Sequence, residues 1–306
     1  MMVGGCKVCA MTRITSDVKY FISNLAKFLW YVQQFIRMGT FSPSIKSINL
    51  ENKRIFVLGN GPSLTKDISN FTSYLKCEDV MMVNQALTSS LAFEIRPRYY
   101  TLMDPAYWGL YSEDENQNNR LLNDIVALES ALTKVNWHMN ILAPHSIYKC
   151  RTNKSIKINN NKISVKLLNS MEVTTFKFLQ EWIYKNSMGI PSGINVLIAC
   201  LCCAIAIGYK EIFLIGADSN WHKQLLVDSN NNLYTYDTHY YHSEAHKVYT
   251  PYTMAFVCNC ITKAFSAYQE LSHMKFKIIN LSSNSMIDAF PRNTIKNIIG
   301  GGEITI

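Results

Sequence analysis

Residues 55–64, IFVLGNGPSL, run four apolar residues into two glycines, a proline and a serine. Glycine lets the backbone approach an anion closely, Pro62 fixes the turn, and Ser63 can cap a following helix. Gly59, Asn60, Gly61, Pro62 and Ser63 therefore read as a phosphate-binding turn between a strand and a helix. An ordinary strand-to-helix turn has the same spacing. The segment lacks G-x-G-x-x-G and a closing Lys-Ser/Thr, which argues against a dinucleotide fold and a P-loop NTPase.

Ligands of open α/β sheets collect beyond the carboxyl ends of the strands. The polar residues expected there are Asn60, the pair Asn84-Gln85, Asp104 and Asp218. The amides suit a base or sugar, whereas Asp104 and Asp218 could bind magnesium without the D-x-D spacing. Each is equally a turn residue satisfying backbone groups. Ser192-Gly193 marks a second helix N-terminus, fit for an anion or for capping alone.

Residues 219–250 hold four histidines (His222, His239, His242 and His246) and tyrosines that include Tyr234, Tyr236, Tyr240, Tyr241 and Tyr249. Imidazoles titrate near neutrality and suit proton transfer, and tyrosine hydroxyls can stabilise a departing phosphate. The four-residue spacing of His242 and His246 would also suit zinc on a helix, but no third ligand stands near, so the reading assigns no metal.

The elements that must carry these groups alternate strand and helix. Apolar strands are expected at 55–58, 79–86, 99–105, 140–144, 211–215 and 275–281, with helices at 115–133, 194–207 and 252–271. That alternation predicts an α/β, Rossmann-like, mostly parallel sheet flanked by helices. Residues 152–166 read as a polar loop or hairpin. The polar, aromatic segment 219–250 is too long for an ordinary connection and reads as a lid.

Before this domain (51–306), residues 1–50 read as an amphipathic helix and a linker at 40–52. Phe21, Ile22, Leu25, Phe28, Leu29, Val32, Phe35 and Ile36 recur at helical spacing over 17–37, with Ser16 or Asp17 as cap and Gly39 as stop. Lys19, Lys27 and Arg37 decorate the other faces. Such a helix either docks on the core or lies peripherally on a membrane, where the basic surplus helps.

The 306 residues are 48% hydrophobic and 17% charged, a composition that excludes a disordered or fibrous chain. The net charge of +8 favours anionic partners. Cys200, Cys202, Cys203, Cys258 and Cys260 fall within apolar stretches, as free thiols in a reducing compartment do, and Cys6-x-x-Cys9 has no second half. Without a long apolar run or signal peptide, the expected location is the cytoplasm. The basic residues are dispersed and match no nucleic-acid module, so no nucleic-acid partner is expected. A homo-oligomer is left open.

Five segments together resemble the Campylobacter-type sialyltransferases, glycosyltransferase family 42, and more loosely the group containing the archaeal pterin pyrophosphokinases. They are GNGPSL at 59–64, Asn84-Gln85, Ser192-Gly193 before an apolar helix, GYKEIFLIGAD at 208–218 and YTYDT at 234–238, spanning residues 53–260. The resemblance implies metal-independent, inverting transfer of sialic acid, or a related acidic sugar, from a CMP-activated donor to a glycan. The acceptor would belong to surface polysaccharide or lipooligosaccharide, and no cofactor is implied.

By this resemblance Gly59 to Ser63 line the CMP phosphate and ribose. Asn84 and Gln85 contact nucleotide or sugar, and Ser192 and Gly193 sit beside cytosine. Tyr234 donates to the leaving phosphate, and His246, with His242 second, is the base. The chain departs at Gly189, where the family carries Arg, and at Asn220-Trp221, where it carries a second phosphate-binding Tyr. Tyr236, Lys223 or Lys247 would stand in. Two other readings stay open: a magnesium-dependent pyrophosphokinase using Asp104 and Asp218, and a non-catalytic nucleotide- or glycan-binding module.

Overall fold

The computed structural model describes residues 5–110, 115–193, 195–240 and 246–300; at 5–16, 115–121 and 246 it describes the backbone alone. In chain order the first elements are α1 (Gly5–Met38), β1 (Arg54–Leu58), α2 (Leu64–Ile68), α3 (Thr72–Leu75), β2 (Val80–Val83), α4 (Ser90–Ile95), β3 (Tyr99–Thr101), α5 (Glu115–Thr133), β4 (Met139–Pro144), α6 (His145–Lys149) and β5 (Ile163–Leu168). There follow β6 (Glu172–Val173), α7 (Lys177–Lys185), β7 (Ile190–Pro191), α8 (Val196–Ile207), β8 (Glu211–Ile215), β9 (Leu225–Val227), β10 (Leu233–Asp237), β11 (His246–Tyr249), α9 (Met254–Ser272), β12 (Lys277–Asn280) and α10 (Ile295–Ile299).

Seven strands form one parallel sheet in the order β12-β8-β1-β2-β3-β4-β5. Side chains alternate across it, as a strand's period of two requires. Ile55 and Val57 enter the core on one face, Phe56 and Leu58 that on the other. The first core takes α8, α9 and the end of α1, and the second takes α2 to α5. Helix α8 is buried nearly all round and so needs no polar face. The expected mostly parallel α/β architecture is the one observed.

Several expectations need correcting. Helix α1 begins at Gly5, so Ser16 and Asp17 lie inside it and cap nothing. Its stripe is split: Phe35 is buried and Phe28 and Val32 pack on the core, whereas Ile22, Leu25, Leu29 and Ile36 are exposed. The linker is docked, because Ile45 is wholly buried and the Lys46 ammonium donates to Ala206 O at 2.6 Å. Residues 163–168 form the edge strand β5, whose half-exposed side chains resemble a loop's. Strand β2 stops at Val83 because Asn84 takes φ +51° and turns the chain into a 3₁₀ turn. Strand β3 likewise ends at Thr101, well short of 105.

Candidate functional site

Strands β1 and β8 are adjacent, yet the chain leaves β1 toward β2 and reaches β8 only after building the far side of the sheet. That is a topological switch point, where open α/β sheets bind ligands. Two tight turns meet there. Gly59 N donates to Ile215 O at 2.8 Å and Gly61 N to Gly216 O at 2.9 Å. Gly216 has φ +65°, and a Cβ on Gly61 would lie 2.6 Å from both Gly216 O and Asp218 Cγ. Only glycine fits that contact.

Asp218, 2% exposed, locks the two turns together. Its carboxylate accepts from Ser63 N at 2.9 Å and from the Ser63 hydroxyl. Burial pushes its carboxyl above the ordinary aspartate range, and the two Ser63 bonds only partly offset this. The amides of Gly59, Gly61 and Ser63 are all spent inside the protein. That leaves the Gly61-Pro62 backbone and the Asn60 side chain as the parts of the turn that line the neighbouring cleft.

Asn60 is 8% exposed, donates through Nδ2 to Val83 O at 3.3 Å, and has a buried Oδ1 without a partner. It lines a cleft of about 400 Å³ shared with Asn84, Asn195, Trp221, Asp237 and His239. An unpaired buried acceptor in a cleft is suited to a ligand's N–H or O–H. Asn195 caps α8, accepting from Leu197 N at 2.8 Å, while its Nδ2 donates to the Tyr268 hydroxyl at 2.8 Å.

The other wall is a small antiparallel sheet, β9-β10-β11, pinned by polar contacts. Gln224 Nε2 donates to Thr238 Oγ1 at 2.5 Å, and Tyr240 N donates to Asn60 O at 3.1 Å. The Tyr240 hydroxyl meets Ser89 Oγ at 3.0 Å. This return path carries His239 into the cleft, with Nδ1 on Asp237 Oδ1 and its backbone N–H 3.2 Å from the same oxygen. A carboxylate on one imidazole nitrogen orients the ring and selects its tautomer.

Of the residues expected at the site, Asn60, Gly61, Pro62, Asn84, Asp218 and Tyr236 line the cleft. Gly59 and Ser63 build the turn without lining it. Gln85 lies one residue beyond Asn84, outside the lining, and Asp104 caps a short turn by accepting from Ala106 N at 2.8 Å. Ser192 donates to Glu172 at 2.7 Å and Gly193 packs near Ile198 and Ala264, so neither lines the cleft. The cap expected at Ser192-Gly193 is supplied by Asn195 instead.

Tyr234 contacts the Tyr249 ring and carries the Lys247 ammonium 4.0 Å above its own ring, away from the lining. His246 pairs through its backbone with Asp237 on a strand, so the helix expected for His242 and His246 is absent at His246; His242 lies outside the described residues. Among the described residues the histidine that lines the cleft is His239, and its signal was the aspartate two residues earlier. Asn195 and Gln224 also line the cleft, and the sequence reading singled out neither. Among the described residues no three His, Cys, Asp or Glu side chains gather as a metal site.

The family model described as MptE-like, 6-hydroxymethylpterin diphosphokinase MptE-like, matches residues 20–224. That span includes Asn60, Asn84, Asn195 and Asp218 and stops short of Asp237 and His239. No curated protein matches the chain. Among solved structures, the chain is similar to the MAf glycosyltransferase from Magnetospirillum magneticum AMB-1, with TM-score 0.43 and 14% identity. The match covers 79% of this chain and 33% of that one, so the chain spans about a third of that protein's length.

Proposed function

We propose, on the premise that the chain belongs to the 6-hydroxymethylpterin diphosphokinase MptE-like family, that it is a transferase taking a nucleotide-activated donor in the β1/β8 cleft and a hydroxyl acceptor. The observation that carries this reading is the Asp237–His239 pair lining the same cleft as Asn60. In our reading the donor is a CMP-linked sialic acid or related acidic sugar, as the GNGPSL and YTYDT segments suggest, and the acceptor is a glycan.

The chemistry follows from placing the two ends. The acceptor oxygen forms a bond to the anomeric carbon as the carbon–oxygen bond to CMP breaks, and CMP leaves with the electron pair. The acceptor proton passes to His239 Nε2, and Asp237 holds Nδ1–H and stabilises the imidazolium that results. Asn60 Oδ1 accepts from a donor group of the nucleotide or sugar.

The family description favours a second reading, in which a diphosphate passes from a nucleoside triphosphate to a hydroxymethyl oxygen. The same base would serve. That reading would call on a magnesium ion to neutralise phosphate charge, and Asp218, which spends both oxygens on Ser63, fits poorly as its holder. The test is turnover with CMP-linked sialic acid plus glycan, against ATP plus 6-hydroxymethylpterin, each with magnesium and with EDTA. CMP release that needs the glycan and ignores EDTA supports the first reading; turnover only with ATP and magnesium replaces it. Binding of either nucleotide without turnover would make the chain a non-catalytic module.

A further inference from the structure

Helix α1 shows two faces. Asn24, Tyr31 and Phe35 are buried and Phe28 packs against the core, so this side is docked. Roughly 130° round the helix, at 100° per residue, stand Val18, Ile22, Leu25, Leu29 and Ile36. All five are exposed, Leu29 at 60% and Ile36 at 72%. The apolar surface continues past the helix at Phe41 and sideways onto α7. Phe21 meets Phe176, whose ring stacks on Phe178, and Phe178 and Trp182 are exposed one helical turn apart.

Such a surface needs a cover, and its charge pattern says which kind. Lys19 and Arg37 lie on one flank of the stripe, roughly 100° from its centre, and Lys27 lies farther round the same side, while Asp17, the one acid between 17 and 38, falls on the docked side. A second copy laid along the stripe would bring Lys19 and Arg37 toward cations with no α1 carboxylate in reply, and Glu181 on α7 is already paired with Lys185 at 2.7 Å. That arrangement would also leave Trp30, Phe178 and Trp182 outside a two-helix seam. Exposed tryptophan and phenylalanine bordered by lysine and arginine are instead the composition of a helix lying in a headgroup layer. No helix among the described residues is long and apolar enough to cross a membrane.

We propose that the exposed face of α1, continued by Phe178 and Trp182, docks this protein on an anionic lipid surface. The docked side of α1 keeps the body of the protein above that plane, and the cations on its flank meet the headgroup charge. This inference is independent of the reading of the cleft.

The test is flotation of the full chain with phosphatidylcholine vesicles, with and without phosphatidylglycerol. We expect capture only by the vesicles containing phosphatidylglycerol, and its loss in high salt. The double variant Leu29→Glu, Ile36→Glu touches no core contact and should lower capture on the order of tenfold with an unchanged thermal midpoint. A second variant, Lys19→Glu with Arg37→Glu, should weaken capture without removing apolar surface. Equal capture by neutral vesicles, or capture unaffected by both variants, would overturn the proposal. So would light scattering that finds a dimer, made monomeric by Leu29→Glu with Ile36→Glu and captured by neither vesicle, which gives the face to a second copy.

Discussion

Asp237 holds His239 twice with one carboxylate oxygen, at the ring Nδ1 and at the backbone N–H. The two residues are separated by Thr238 alone, so the ring's orientation is set at the end of β10. Thr238 in turn accepts from Gln224, and Tyr240 is tied to Asn60. The imidazole is thereby fixed relative to the turn after β1, across the full width of the cleft.

If Asp237 orients the base, Asp237→Asn should lower kcat by about 10²-fold or more while nucleotide binding changes little. Steady-state kinetics and a thermal-shift titration on the same variant check this. A KM effect with kcat intact would place Asp237 in binding instead.

Asn60→Ala should weaken nucleotide binding by about tenfold, the size of one hydrogen bond that only the ligand completes. The unliganded protein should lose no more than about 1 kcal/mol, the worth of the single Nδ2 bond to Val83 O, because the deleted Oδ1 has no partner there. Isothermal titration and thermal melts of the free variant measure the two halves separately.

Gly61→Ala should destabilise the fold by about 1–3 kcal/mol, since its Cβ would strike Gly216 O and Asp218, and a well-packed site yields only at that cost. Urea denaturation reads the change directly. An unchanged midpoint would show that the β1 and β8 turns are not locked as described.

Burial holds the Asp218 carboxyl above its unfolded value of about 3.9. For an acid raised in the folded state, the native form binds the proton more tightly. This group's contribution is therefore fully favourable at acid pH and is lost as pH climbs from the unfolded value through the raised folded one. Across that interval the thermal midpoint of wild type should fall relative to that of Asp218→Asn as pH rises. Parallel curves would mean that burial does not govern this carboxylate.

How much of this could be read in advance depended on whether a feature is local. The GNGPS turn and Gly216 are legible because glycine spacing encodes backbone conformation within a few residues. The helix cap was placed at Ser192-Gly193 because the segment offers three small or polar residues in a row of four, and only the packing beside Tyr268 selects Asn195. Strand β5 was hidden because an edge strand needs just one apolar face. Placing the candidate histidines is non-local in the same way: counting from α9 points to His246, whereas the structure pairs the His246 backbone with Asp237 across β10 and β11 and brings His239 into the cleft lining. That register is fixed by contacts between strands, which spacing along one strand does not record.

The central claim is that His239 accepts the acceptor's proton beside a bound nucleotide donor. The most direct test is CMP release from CMP-linked sialic acid, with and without a glycan acceptor, in wild type and His239→Gln, with CMP-induced thermal shift measured on both. The account predicts glycan-dependent release in wild type, a loss of about 10²-fold or more in His239→Gln, and the same CMP shift in each. Full turnover in His239→Gln, or a wild type that responds to ATP and magnesium and not to CMP, would contradict it.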